Sequence, residues 1–300
     1  MVHRVPPIPS DPGLPGARGL IGEEGHRTLA AFLGERGWTL RESRPVQATY
    51  RPGRSMTVRY RAVAEAAGAD RSFTLCVETR VRPRRAGPVP DRFAEHHGLS
   101  DPVSRRGDLL VWAFPYDPSL PGMTEAAWGP AVGDGLARGG RRPAAVSIEP
   151  LRYRPRRRAV FRYRAVHVDR RGREWETGFG KVLPGDKVER LRAAASALHV
   201  ASRRVPLALP RAEVGRDVMV FAPMPGRSLR DLLMRGGSLP SPARVAALPR
   251  SLAAALGDGG SELRPKRRRP LQLAELGAEV VTRLVPSSAD AARRVLDATA

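Results

Sequence analysis

Apolar residues recur at helical spacing near the start of the chain, at Leu29, Phe32 and Leu33, which predicts a helix over Glu23–Gly37 with Gly37 as its stop. A period of two then takes over. Gln47–Arg51, Thr57–Ala64 and Ser72–Arg82 read as a three-strand meander, with Pro52-Gly53 in the first turn and Gly68 in the second. Leu109–Phe114 is a further short strand ended by Pro115. The pattern then returns: Leu151–Arg154 pairs with Ala159–Val168, the chain turns through Asp169–Gly172, and a strand runs over Trp175–Leu183 to Pro184-Gly185. Asp186 is placed to cap a helix with Val188, Leu191, Ala195 and Leu198 on one face. A strand at Asp217–Ala222 and the connection Pro223–Gly226 follow. Beyond them come a capped segment at Ser228–Met234, helices at Arg244–Leu256 and Leu271–Val285, and between those helices an exposed basic loop, Gly257–Pro270.

The return is a repeat in the residues themselves. Tyr50–Val63 and Tyr153–Val166, 103 positions apart, are identical at nine of fourteen positions. Both lead through a polar turn into another apolar stretch, so the repeat reads as a shared hairpin from a duplicated unit. The expected division is a disordered, proline-rich terminus over 1–18, a first-copy domain over 19–122, a Gly- and Pro-rich linker over 123–145, a second-copy domain over 146–222, and a helical remainder over 223–300.

The formal charge of +22 raises nucleic acid or an anionic membrane as partners. The charge is almost all arginine, with lysine only at Lys181, Lys187 and Lys266 and no asparagine, a skew typical of a GC-rich genome. Aromatic residues make up 5% and no basic helix or stacking motif stands out, so nucleic acid is not an expected partner. A lone Cys76, no secretory h-region in Met1–Gly16 and no long apolar run predict a cytoplasmic protein with no membrane partner.

Several motifs together resemble a known family. Arg152-Tyr153-Arg154-Pro155 with Phe161-Arg162-Tyr163, then Gly178-Phe179-Gly180-Lys181-Val182, then Met219–Leu229 with its Pro225-Gly226-Arg227-Ser228-Leu229 hinge resemble the aminoglycoside phosphotransferase and maltokinase-like group of the protein-kinase-like superfamily, over residues 146–235. The resemblance implies an α+β fold: a kinase-like small lobe of antiparallel sheet plus helix, preceded by a related, duplicated cap domain and followed by the first helices of a large lobe. It implies the N-terminal portion of a phosphotransferase that uses ATP or GTP with Mg²⁺ on a hydroxyl of a sugar-like or aminoglycoside-like small molecule.

On that resemblance Lys181 pairs with the nucleotide phosphates; the other reading is a lysine snorkelling from an edge strand. Glu189, one of two carboxylates between Lys181 and Val205, is the candidate partner for that lysine, or an acid favoured by the helix dipole. Ala222 and Met224 would offer backbone groups to the adenine edge, unless the segment is an ordinary interdomain turn. Arg156, Arg157 and Arg158 take the place of the phosphate-covering loop, either as phosphate contacts or as a solvated turn. The family expects a glycine where Arg156 stands, and the first copy keeps one at Gly53. Aligned without gaps, Lys181 falls opposite Glu78, so the first copy reads as a cap that has no nucleotide.

The His-x-Asp loop, the Mg²⁺-binding Asn and the second Asp motif of the family have no counterpart here, which predicts no catalytic residue in this chain and a catalytic half outside it. His96-His97 beside Glu95 lack further ligands at metal spacing, so no metal site is expected. The alternative function is a non-catalytic module that binds a nucleotide or another anion.

Overall fold

A computed structural model describes residues 10–82, 101–169, 172–202, 207–226 and 289–297, with scattered positions between them. It is a mixed α+β protein with two antiparallel five-stranded sheets. The chain divides into two compact units, Met1–Pro118 with Lys266–Ala300, and Ser119–Pro265. The expected segments at 228–234, 244–256, 257–270 and 271–285 lie wholly or mostly outside the described residues.

The first unit contains α1 (Glu23–Gly34), β1 (Thr39–Arg51), β2 (Ser55–Ala66), β3 (Ala69–Arg80), β4 (Val103–Arg106) and β5 (Leu109–Ala113). The sheet order is β1-β2-β3-β5-β4. β1 starts well before the expected strand: it is an edge strand, where a proline such as Pro45 is tolerated, and its register shifts between Leu40 and Glu42 and between Pro45 and Gln47. One face buries Met56, Val58, Tyr60, Ala62, Leu75 and Val77, and α1 adds Leu29, Phe32 and Leu33 to the core. Residues 10–22, where prolines deny an α-helix, form two short 3₁₀ turns instead and bury Leu14, Ala17 and Leu20.

The second unit contains α2 (Met123–Ala126), α3 (Gly129–Gly135), β6 (Ala145–Arg154), β7 (Arg158–Asp169), β8 (Gly172–Val182), α4 (Gly185–Ser202), β9 (Pro210–Val214) and β10 (Val218–Phe221). Its order, β6-β7-β8-β10-β9, repeats that of the first sheet. Residues 123–145, the expected linker, thus include two helices, and Met123, Ala126 and Val132 are buried. One sheet face, with Ala159, Phe161, Tyr163, Val182, Val218 and Val220, is buried beneath α2 and α3. On the other face Val188 and Leu191 of α4 pack against Leu183, Met219 and Phe221. The last described element is α5 (Ala289–Asp297).

Candidate functional site

Register fixes the surroundings of Lys181. Near the C-terminal end of β8 it stands opposite Val160 of β7 and Met219 of β10, while Phe179 stands opposite Arg162 and Phe221. Residues two apart share a face, so Lys181 lies on the α4 side and Gly178, Gly180 and Val182 lie on the α2–α3 side. Lys181 is half-buried, with no hydrogen bond or ion pair among the described residues.

The acidic groups of α4 are already engaged. Glu189 is exposed and accepts from Arg192 at 2.7 Å, and Arg192 also reaches Glu213 at 2.8 Å and the backbone oxygen of Arg216 at 3.0 Å. Hydrogen bonds donated to Glu213 and Glu189 hold the Arg192 guanidinium above its usual value. Asp186 takes Arg190 at 2.6 Å. The structure therefore does not bring Lys181 and Glu189 into an ion pair.

The hairpin turn between β6 and β7 is set by Arg156, whose φ of 60° lies in the left-handed region. The Arg157 amide closes the turn on the Arg154 carbonyl at 3.0 Å. Arg156 donates from Nη1 to the Ser119 hydroxyl at 3.0 Å, while Arg157 is exposed and Arg158 half-buried. Ala222 and Met224 follow β10 in an exposed, non-helical segment. Phe221, next to Ala222, shares the Lys181 face, which places the start of that segment about 10 Å or less from Lys181 along the sheet.

The buried carboxylate of this unit is on the opposite face and is fully engaged. Glu176 receives Arg211 at 2.6 Å, Arg138 at 2.7 Å and His167 at 2.9 Å. In the first unit the third-strand position that matches Lys181 is Glu78, which is 2% exposed, lies 3.3 Å from Arg80 and accepts the Thr57 hydroxyl at 3.2 Å. His96 and His97 fall outside the described residues, and among the described residues no group of three or more His, Cys, Asp or Glu is placed to hold a metal ion. Among them, too, no helix is long and apolar enough to cross a membrane.

Two features escaped the sequence reading. Asp-Pro-x-Leu-Pro-Gly occurs at Asp11–Gly16 and at Asp117–Gly122, 106 positions apart, and Asp11, Leu14, Asp117 and Leu120 are all buried. The Asp11 carboxylate accepts the Gly53 amide at 2.7 Å and the Tyr50 hydroxyl at 2.8 Å, tying this segment to the first hairpin turn. The second feature is a pair of buried tyrosines from the repeated hairpin. The Tyr60 hydroxyl donates to the Leu20 carbonyl, and the Tyr163 hydroxyl donates to the Ala126 carbonyl at 3.1 Å. Burial pushes both phenols above their usual value. Leu20 and Ala126 are also 106 positions apart, so the second repeat was legible once a three-residue change of phase was allowed. No family model, no curated protein and no solved structure matches the chain.

Proposed function

We propose that residues 146–222 are a nucleotide-binding small lobe of the kinase-like kind, and that the first unit is a related cap from the same duplicated ancestor, which lost the nucleotide. The reaction this lobe serves is phosphoryl transfer from ATP or GTP to a hydroxyl of a sugar-like small molecule, with the catalytic aspartates and Mg²⁺ ligands supplied from outside this chain. The observation that carries the reading is a lysine with no hydrogen bond or ion pair among the described residues, on the third strand of a five-stranded antiparallel sheet and on the face packed by the helix that follows that strand. In kinases the third-strand lysine holds the nucleotide phosphates, where a fixed cation offsets charge that repels the attacking oxygen. A half-buried ammonium without a protein partner is well suited to take an anionic ligand. Identical strand order, the two matching tyrosine-to-carbonyl bonds and two matched sequence segments support the duplication.

On the Lys181 face Glu149, Glu189 and Glu213 are each engaged by an arginine, which leaves the basic groups of that face to take phosphate. The engagement of Glu189 by Arg192 favours, as a second reading, a lobe that binds nucleotide without assembling a catalytic ion pair. Titration calorimetry with Mg-ATP tests the shared core of both. Lys181→Ala is expected to weaken binding by roughly tenfold or more, the worth of one charge-assisted hydrogen bond. Equal affinity for the wild type and the variant overturns the reading.

A further inference from the structure

The face that carries Lys181 also carries a row of arginines that engage no counterion among the described residues. Arg154 of β6 is directly opposite Arg158 of β7, and Arg152 is opposite Val160, which is itself opposite Lys181. Side chains opposite one another on a sheet face have Cβ atoms roughly 5 Å apart and diagonal neighbours roughly 7 Å apart, within reach of long basic side chains. The four basic heads can therefore converge on a volume of a few phosphate groups.

Like charges placed opposite each other destabilise a sheet. The Arg154 guanidinium is held below its usual value, first by Arg152, then by desolvation, then by Arg158 and Arg157. Several other arginines of the unit are held by carboxylates. On the same face Arg162 takes Glu149 and Arg192 takes Glu213, while Arg190 takes Asp186 and both Arg138 and Arg211 take Glu176. Arg152, Arg154, Arg158 and Lys181 engage no carboxylate among the described residues.

The adjoining turn cannot perform the work of a glycine-rich loop. Arg156 occupies its left-handed position, and the side chain is anchored to Ser119. Guanidinium forks match phosphate oxygens in pairs, which a backbone loop does with amides. A face of fixed cations also repels a divalent ion that approaches it. We propose that Arg152, Arg154, Arg158 and Lys181 form a polyphosphate-binding wall that takes the phosphates of a nucleotide as a free anion, with guanidinium groups in place of loop amides and no divalent ion required. This inference rests on the nucleotide reading above and specifies how the phosphates are held.

Titration calorimetry on the full chain in EDTA, with inorganic tripolyphosphate, ATP and adenosine as separate ligands, tests it. Tripolyphosphate and ATP are expected to bind without magnesium, and Arg154→Gln combined with Arg158→Gln is expected to weaken both by roughly a hundredfold. Arg44 and Arg61 form another directly opposed pair, on β1 and β2, so Arg44→Gln combined with Arg61→Gln removes the same charge and is expected to leave binding unchanged. Unchanged far-UV circular dichroism and melting temperature show that each variant is folded. Absence of tripolyphosphate binding in EDTA, or an equal loss in the control pair, overturns the wall. If Mg-ATP still binds through Lys181 in that case, the nucleotide reading survives alone. If tripolyphosphate binds through Arg154 and Arg158 and ATP binds no more tightly, the wall stands as a polyphosphate site and the nucleotide reading falls.

Discussion

The two units hold the same frame and give it opposite electrostatic contents. Each has five strands in one order and one buried tyrosine from the repeated hairpin bonded to a carbonyl of the preceding short helical segment. At the matching position of the third strand the first unit has Glu78, buried and engaged by Arg80 and Thr57, and the second has Lys181, half-buried and unengaged. The second strand of each unit differs too, while the strand on the other side offers a buried apolar residue in both, Leu110 and Met219. Ser55 and Thr57 are buried in the first unit where Arg158 and Val160 stand in the second. Around the tyrosine the sheet face is apolar in both units, with Met56, Val58 and Ala62 beside Tyr60 and Ala159, Phe161 and Ala165 beside Tyr163, whereas at the Glu78 and Lys181 positions of the other face the charge has diverged.

Exchanging the two charges is the strongest way to break this comparison. Glu78→Lys puts a cation in a buried site and leaves Arg80 without its carboxylate, which is expected to cost ~3–5 kcal/mol. Lys181→Glu places a carboxylate beside Arg152, Arg154 and Arg158, and is expected to change stability by no more than about 1 kcal/mol. Denaturant unfolding of both variants reads the difference directly. Equal losses would mean that Lys181 is as structural as Glu78.

The meanders, the helix after β8 and the third-strand lysine were legible because their signals are local: alternation, a Pro-Gly stop and a Gly-Lys-Val triplet. The edge strands β4 and β9 were not, since each is four or five residues long and β9 opens on a proline. α3 carries little helical pattern in Gly129-Pro130 and three further small residues, although proline at a first turn is compatible with a helix. The site divides in the same way. Lys181 could be named from its neighbours in sequence, but the opposition of Arg154 and Arg158 belongs to the register, which the turn geometry sets. The count of carboxylates offers Glu189 either as the partner of Lys181 or as an acid favoured by the helix dipole, and it takes no account of Arg192 one helical turn away, which holds Glu189.

A smaller effect separates the two ways of housing the shared tyrosine. In the second unit a Cβ on Gly180 would lie 2.3 Å from the Tyr163 hydroxyl oxygen and 2.4 Å from its ring, and the tyrosine is fully buried. In the first unit the strand position matching Gly180 is Val77, and the close approach is moved to the helix, where a Cβ on Gly25 would lie 2.4 Å from both the Tyr60 hydroxyl and the Leu20 carbonyl oxygen. Gly180→Ala is expected to cost ~1–3 kcal/mol by overpacking. Gly25→Ala is expected to destabilise as well, even though alanine is favoured over glycine by ~1 kcal/mol inside a helix. A rise in the unfolding midpoint for Gly25→Ala would show that the tyrosine is not clamped there.

The smallest expected effect concerns the hairpin turns, where φ is 58° at Gly53 and 60° at Arg156. Glycine takes this conformation freely, and any other residue is disfavoured there by ~1–2 kcal/mol. Arg156→Gly removes that cost but also the bond from Arg156 to Ser119, worth ~0.5–1.5 kcal/mol, so the two terms oppose and the net change in stability is expected to stay below about 1 kcal/mol. A double-mutant cycle separates them. Ser119→Ala alone should lose the hydrogen bond, whereas Ser119→Ala combined with Arg156→Gly should lose less than the sum of the two changes. Strict additivity in the unfolding midpoints would mean that Arg156 is not anchored and is free to reach a ligand, which would return it to the phosphate-covering role that Arg152, Arg154 and Arg158 are assigned here.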